Sequence, residues 1–268
     1  MPSLSRFLRI AKLHLNSLRV PRGRRLLKSL RVDGLELLVF ANEDVGRSLL
    51  VLGNFEQEEV EFLRTVIEPA DICFDIGGNV GYFAMLMAQS AREGQIHVFE
   101  PIPLNAQIIR TNALLNRFDN LQVNNVALGN EPGFSEFSVS SDSAYSSLRA
   151  TGRHGEAQSI TVPVWTLDEY VDERGLGRIA IMKVDVEGAE EMVLKGATRL
   201  LSDPDRRPRL IMLELFDENL RPFGTSVAGI VERMNDLGYQ PRVLRDGSLT
   251  PYRPEMANVI PNVFFLPA

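Results

Sequence analysis

From residue 71 onward the chain alternates short apolar runs with amphipathic stretches, and this rhythm constrains the fold more than any other feature. Ile72–Asp75, Ile96–Glu100, Leu121–Leu128, Ile179–Val186 and Leu210–Phe216 read as strands. Tyr82–Ala91, Leu104–Leu115, a stretch ending at Leu201 and one around Val227–Leu237 read as helices. Strands that alternate with helices return through right-handed crossovers, giving a mostly parallel sheet covered by helices on both faces. The expected class is α/β with a Rossmann-like sheet. Two places break the rhythm. Phe134–Ser140 and Ile160–Leu167 alternate like strands around a polar stretch, Ser141–Gln158, and predict an inserted β-hairpin. Asn262–Leu266 is an apolar run with no helix before it, which predicts an antiparallel last strand.

Upstream, residues 34–53 read as a pair of short strands around Asn42-Glu43-Asp44, and Asn54 followed by Gln57 reads as a capping box opening a helix to about Val66. Leu4, Leu8, Ala11, Leu15 and Leu18 form one apolar helix face that Pro21 ends. Residues 1–31 carry nine Lys and Arg and no acid, whereas the rest of the chain carries a charge of −15. The expected organisation is a basic helical extension over 1–33 and one domain over 34–268. An acidic body does not suit nucleic-acid binding, which neutralises phosphates. The basic stripe fits either an anionic membrane surface or packing against the acidic body or a second subunit; packing is favoured because the stripe is short and lacks Trp. One cysteine excludes a disulfide scaffold, and no apolar run reaches the roughly 18 residues that span a bilayer. With the early apolar residues broken by Arg6, Arg9 and Lys12, the expected setting is cytoplasmic.

The first parallel strand ends in Asp75-Ile76-Gly77-Gly78-Asn79-Val80-Gly81. Glycines there allow a tight turn into a helix and close approach of a ligand. The dinucleotide fingerprint is not met, because Asn79 and Tyr82 stand where its second and third glycines belong. Asp75 would repel a pyrophosphate but welcome an ammonium or sulfonium, and the amino-acid part of S-adenosylmethionine carries both. Glu100 ends the second strand and is placed to accept hydrogen bonds from the hydroxyls of an adenosine ribose. NAD shares that feature, so Asp75, not Glu100, separates the two cofactors.

These residues, with Phe99-Glu100-Pro101 and Asn105, resemble the cofactor half of the FkbM family of S-adenosylmethionine-dependent methyltransferases. Lys183-Val184-Asp185-Val186-Glu187-Gly188-Ala189-Glu190, then Val193-Leu194-Lys195-Gly196-Ala197, is similar to that family's most specific signature, and Thr166-Leu167-Asp168 and Ala127-Leu128-Gly129 also fit. The resemblance covers about residues 54–266. Gly78 departs from it, since the family more often has alanine there, a change expected not to affect binding. The resemblance implies a class I methyltransferase fold and methyl transfer to a hydroxyl, often on a sugar or a polyketide.

Lys183, Asp185 and Glu187 alternate, so along a strand they share one side. Ligands of open parallel sheets sit beyond the carboxyl ends of the strands. Asp185 is therefore the first candidate for the base that takes the acceptor's proton, with Lys183 or Glu187 orienting it. Glu187 also reads as a carboxylate at a helix start, and Lys183 as a structural ion-pair partner of Asp185. Glu214, an acid within an apolar strand, is a candidate to meet the acceptor or, with Asp185, to hold Mg²⁺, an option not favoured. His154 in the polar insertion is a remoter candidate base, and His97 is expected to be packed. The cofactor set is Asp75, Gly77, Asn79, Gly81, Phe99 and Glu100, with Asn125 and Val126 as contacts for the adenine. Trp165 is expected in the core of the hairpin. Expected partners are a small-molecule or glycan acceptor, with a second copy of the chain as a further candidate. A nicotinamide-dependent oxidoreductase and a non-catalytic Rossmann-like binding module are the competing readings.

Overall fold

The computed structural model describes residues 25–139, 146 and 158–268. The expected helix over residues 4–18, His154 and nearly all of the polar insertion lie outside the described residues.

The chain enters through a hairpin, β1 (Leu27–Val32) and β2 (Leu35–Phe40), joined by Asp33-Gly34 with φ of 54° and 79°. Two left-handed residues in a row make the turn whose twist matches a hairpin, and Asp-Gly is a favoured pair for it. The expected boundary at 33/34 thus falls at the hairpin tip, and residues 27–32 join the folded body. The expected strand after Asn42-Glu43-Asp44 is a helix instead, α1 (Asp44–Val51). Its apolar residues Val45 and Leu49 stand four apart and share a face. Next comes α2 (Gln57–Val66), as expected, but Asn54 does not cap it; the N-cap is Glu56, in the left-handed region at φ 46° and with no side-chain cap bond.

The Rossmann-like core follows as β3 (Ile72–Ile76), α3 (Tyr82–Ser90), β4 (Gln95–Phe99), α4 (Pro103–Asn116) and β5 (Leu121–Asn124). The expected third strand stops at Asn124, because Ala127–Leu128 turns away as β6 to join another sheet with β7 (Gly133–Val139) and β8 (Gln158–Trp165). β7 and β8 pair antiparallel, so the inserted hairpin is present. Trp165 is not in its core: Val162 and Val164 turn inward, while Trp165 is exposed and stacks on Tyr170. The chain continues through α5 (Leu167–Glu173), β9 (Ile181–Val184), α6 (Glu190–Lys195), α7 (Thr198–Ser202), β10 (Leu210–Glu214), α8 (Asp217–Leu220), α9 (Val227–Asp236), β11 (Tyr239–Arg245), β12 (Ser248–Pro251) and β13 (Asn262–Pro267).

The main sheet has the order β12-β11-β13-β10-β9-β3-β4-β5. β10, β9, β3, β4 and β5 are parallel, and β13 inserts antiparallel between β10 and β11. Helices cover both faces. Cys73, Val98, Ile181 and Met212 pack toward α1–α4, whereas Phe74, Phe99, Val184 and Leu213 pack toward α5–α9. The entry hairpin is pinned to α4 by two asparagines one turn apart. Asn112 donates to Leu38 O at 3.1 Å and accepts from Leu38 N at 2.7 Å, and Asn116 does the same at Glu36. Their amides satisfy backbone groups on the exposed edge of β2, which would otherwise seek another strand.

Candidate active site

β3, β9 and β10 end side by side, and their register brings the expected residues together. Asp75 and Lys183 are cross-strand neighbours, and Met212, two residues before Glu214, stands beside Lys183 on the other side. All three strands turn these side chains toward the α1–α4 face, where a cavity of about 290 Å³ opens. Asp75, Gly77, Asn79, Phe99, Glu100, Val126, Lys183, Asp185, Glu187 and Glu214 all line it.

Gly77 has φ +85°, and a Cβ there would meet Asp185 O at 1.8 Å, so the turn after β3 closes directly on the backbone after β9. A Cβ on Gly78 would meet Val98 Cγ1 at 2.4 Å, so alanine at this position would force Val98 to move. The departure at residue 78 therefore has a local cause, which the sequence did not disclose. Gly81 does not line the cavity; it is the left-handed N-cap of α3 and packs on Ile109. Asn125 does not line it either. Its amide donates to Glu100 O at 2.8 Å and Pro101 O at 3.0 Å, tying down the loop that carries Glu100.

Glu100 is buried, and its two oxygens accept from Asn79 N and Ile102 N, each at 2.8 Å. Burial pushes its carboxyl up to about 8 against the pull of those N–H groups. Beyond those two bonds the carboxyl can still accept from a ligand hydroxyl and, when protonated, donate to one. Asp75 is 1% exposed, and neither of its oxygens makes a hydrogen bond of good geometry; the Ala84 N–H in the first turn of α3 gives it weak support. Burial raises its carboxyl to about 6, opposed by Lys183. An orphaned buried carboxylate costs free energy unless a donor or a cation arrives.

The Lys183 ammonium lies 2.8 Å from Asp185 Oδ2 and 4.8 Å from the centre of the Phe83 ring. Burial works against this charge, but Asp185, Asp75 and Glu56 overrule it and keep Lys183 protonated. Burial likewise opposes the Asp185 carboxylate, but Lys183 and a hydrogen bond from Glu214 hold it below the usual range. Glu214 is driven the other way, first by burial and then by the charge of Asp185. The pair therefore carries one proton, on Glu214. Glu187 is not a helix-start carboxylate. It sits in the turn before α6 with φ +54°, and its Oε2 accepts from Asn219 Nδ2 at 2.6 Å. The start of α6 is served by Glu190, whose Oε1 accepts from Gly188 N at 3.1 Å and Val186 N at 3.2 Å. Among the described residues, Asp185, Glu187 and Glu214 bring carboxylate oxygens within 4.8 Å of one another and are the set that could hold a metal ion. Lys183 and Asn219 already engage two of them.

His97 is packed, as expected: its Nδ1 lies 2.7 Å from Tyr170 Oη, and burial lowers it to about 4. Thr166 caps α5, and Asp168 accepts from Arg199 N and Leu200 N at the start of α7, so that motif is structural.

The residues before β3 complete the cavity wall, a role that no motif in them signals. Asp44, Val45, Phe55 and Glu56 line the cavity, and Arg25 pairs with buried Glu43, donates to Asn105 Oδ1 at 2.9 Å and lies over the Phe40 ring.

The family model for the methyltransferase FkbM domain matches residues 75–241. The chain belongs to the FkbM methyltransferase family. The 31-O-demethyl-FK506 methyltransferase FkbM of Streptomyces tacrolimicus is 29% identical over 188 residues, 58% of this chain and 70% of that protein. The hexuronic acid methyltransferase AglP of Haloferax volcanii is 30% identical over 156 residues, 54% of this chain and 58% of that one. The 2-O-methyltransferase NoeI of Sinorhizobium fredii is 29% identical over 167 residues, 57% of this chain and 66% of that one. In this FkbM domain the matched segment opens at Asp75, so the wall built by Phe55 and Glu56 lies before it. No helix among the described residues is long and apolar enough to cross a membrane.

Proposed function

We propose that this FkbM-family protein is an S-adenosylmethionine-dependent O-methyltransferase acting on a hydroxyl of a sugar, glycolipid or related secondary metabolite. The observation that carries the reading is Asp75, a buried carboxylate without a side-chain hydrogen-bond partner at the mouth of the Gly77–Gly81 turn. Such a group suits the cationic amino-acid end of S-adenosylmethionine and opposes the pyrophosphate of NAD. Glu100, held by two backbone N–H groups, suits the ribose hydroxyls, and Phe99 and Val126 offer apolar contact to the adenine.

When bound, S-adenosylmethionine supplies a methyl group on a positively charged sulfur. The chain's own residues must align the acceptor, exclude water and take its proton. Asp185 is the proton acceptor because it is the ionised member of its pair with Glu214. Lys183 holds that carboxylate ionised and fixes its position. The names of the FK506 and 2-O-methyltransferase relatives support oxygen as the acceptor atom.

Isothermal titration with S-adenosylhomocysteine and with NADH tests the cofactor. Binding of the former alone is expected; binding of NADH alone would overturn the reading. A protein that binds S-adenosylhomocysteine yet transfers no label from methyl-tritiated S-adenosylmethionine to any hydroxyl acceptor would be a binding module.

A further inference from the structure

Glu56 reaches the cavity wall from the segment before β3, apart from the strand ends that supply Asp75 and Glu214. It precedes α2 in the left-handed region, a conformation that disfavours any residue with a Cβ. Its Oε2 is buried without a hydrogen-bond partner, while the carboxyl as a whole is held by Asn262. Asn262, paired with Glu214 across β13 and β10, lies beside it. Burial, opposed by Lys183, raises its carboxyl to about 7, so at neutral pH it both donates and accepts hydrogen bonds. Strain and an unmet hydrogen bond persist only where the surroundings enforce them, and such sites concentrate where ligands bind.

The charge around Glu56 limits what can bind there. Among the described residues, Glu56, Asp75, Asp185, Glu187 and Glu214 face one cationic side chain, Lys183, which is already bonded to Asp185. An acceptor bearing a carboxylate or phosphate would add negative charge to a wall that already crowds these acids around one ammonium. An acceptor bearing hydroxyls can accept from the acids and donate to the carboxylates, and an ammonium would lower the repulsion. Phe55 and Phe216 supply apolar wall beside these groups, which suits the C–H face of a sugar ring.

Resting on the methyltransferase reading above, we infer that Glu56 is an acceptor-binding residue and that the acceptor is a neutral or amino-bearing polyhydroxylated molecule, not an acidic one. Because Glu56 precedes the family-matched segment, this preference belongs to the chain's own N-terminal part. It differs from what the name of the hexuronic acid methyltransferase relative would suggest.

The test uses the full chain and methyl glycosides of glucose, glucosamine and glucuronic acid at millimolar concentration, with label transfer from methyl-tritiated S-adenosylmethionine as readout. Transfer to the glucoside or the glucosaminide, at least tenfold above the glucuronide, is expected. Glu56→Gln and Glu56→Gly should then raise KM for that acceptor about ten- to a hundredfold and leave S-adenosylhomocysteine affinity unchanged. Glu56→Gly also relieves the left-handed backbone, so its melting temperature should rise or hold. A role confined to stability would instead lower the melting temperature and leave KM alone. Equal or preferred transfer to the glucuronide, an unchanged KM in both variants, or no transfer to any of the three by a protein that binds S-adenosylhomocysteine overturns the inference. Failure to bind S-adenosylhomocysteine overturns the cofactor reading beneath it.

Discussion

Asp75 and Lys183 are direct neighbours across β3 and β9, yet the ammonium is bonded to Asp185, and both Asp75 oxygens stay without a side-chain partner. One buried cation thus serves several carboxylates by charge but only one by a short bond. The site holds a structural ion pair and, next to it, an acid reserved for a ligand. That division assigns separate roles to residues that the sequence shows merely as charged side chains at strand ends.

Asp75 should be a liability without ligand and an asset with it. Its carboxyl ionises at about 6 in the fold against 3.8 in the unfolded chain. The folded state is therefore penalised as pH rises from about 4 through 6, by roughly 3 kcal/mol once both states are ionised. Asp75→Asn escapes the charge but keeps a buried amide, so a gain of about 1–2 kcal/mol is expected above neutral pH, vanishing below about pH 4. The same change should cost about 1.5–3 kcal/mol of S-adenosylhomocysteine binding, or roughly ten- to a hundredfold. Urea melts at about pH 4 and pH 8, with titration calorimetry, check both; a variant less stable at high pH would show that Asp75 has a partner within the fold.

Asp185→Asn should bind S-adenosylhomocysteine and melt cooperatively but lose about 10²–10⁴ in turnover, because an amide cannot take a proton. Near-normal turnover would move the base to Glu214 or His154. EDTA should leave the wild type active, because a metal ion at Asp185, Glu187 and Glu214 would have to displace the Lys183 and Asn219 contacts. Activity lost to EDTA and restored by Mg²⁺ would instead make Asp185 a metal ligand.

The parallel core was legible because each strand is a short apolar run bounded by a turn, and the reversed β13 stood out as a run with no helix before it. β11 and β12 were not legible. Tyr239–Arg245 mixes Pro241, Gln240 and two arginines into its run, and pairing with β13 and β12 makes it a strand. Leu49–Leu52 looked like a strand because four apolar residues are contiguous, whereas the spacing of Val45 and Leu49 decided for a helix. At the site, Asp75, Glu100, Lys183 and Asp185 could be found because each ends a parallel strand. Glu56 could not, since an acid opening the run Glu56–Glu61 reads as an ordinary helix start. Its left-handed backbone, which no local pattern encodes, is what accompanies its place on the wall.

Lys183→Met should destabilise the protein by about 3 kcal/mol, because it leaves Asp185 beside Glu214 without its cation. Asp185 is partly exposed, so the low end of the range for a broken buried pair applies. The double variant Lys183→Met/Asp185→Asn removes the stranded charge as well and should recover part of that loss. Chemical denaturation of the two single variants and the double variant gives the coupling. If the losses simply add, the pair contributes nothing through contact, and the two residues are independent.

Gly78→Ala should test the fit between the cofactor turn and β4. An added Cβ meets Val98 Cγ1 at 2.4 Å and Ile109 Cδ1 at 3.3 Å, and the first of these belongs to a β-branched side chain on a central strand with little room to rotate. Overpacking of this kind costs about 1–3 kcal/mol. The displaced turn carries Asn79, whose N–H holds Glu100, so S-adenosylhomocysteine affinity should fall together with stability. Adding Val98→Ala removes the clashing methyl and should restore affinity in the Gly78→Ala background, although Val98→Ala alone lowers stability by opening a cavity. Melting temperature and titration calorimetry on the two single variants and the double variant separate the outcomes. Unchanged affinity in Gly78→Ala would show that the turn absorbs the methyl group without moving Asn79.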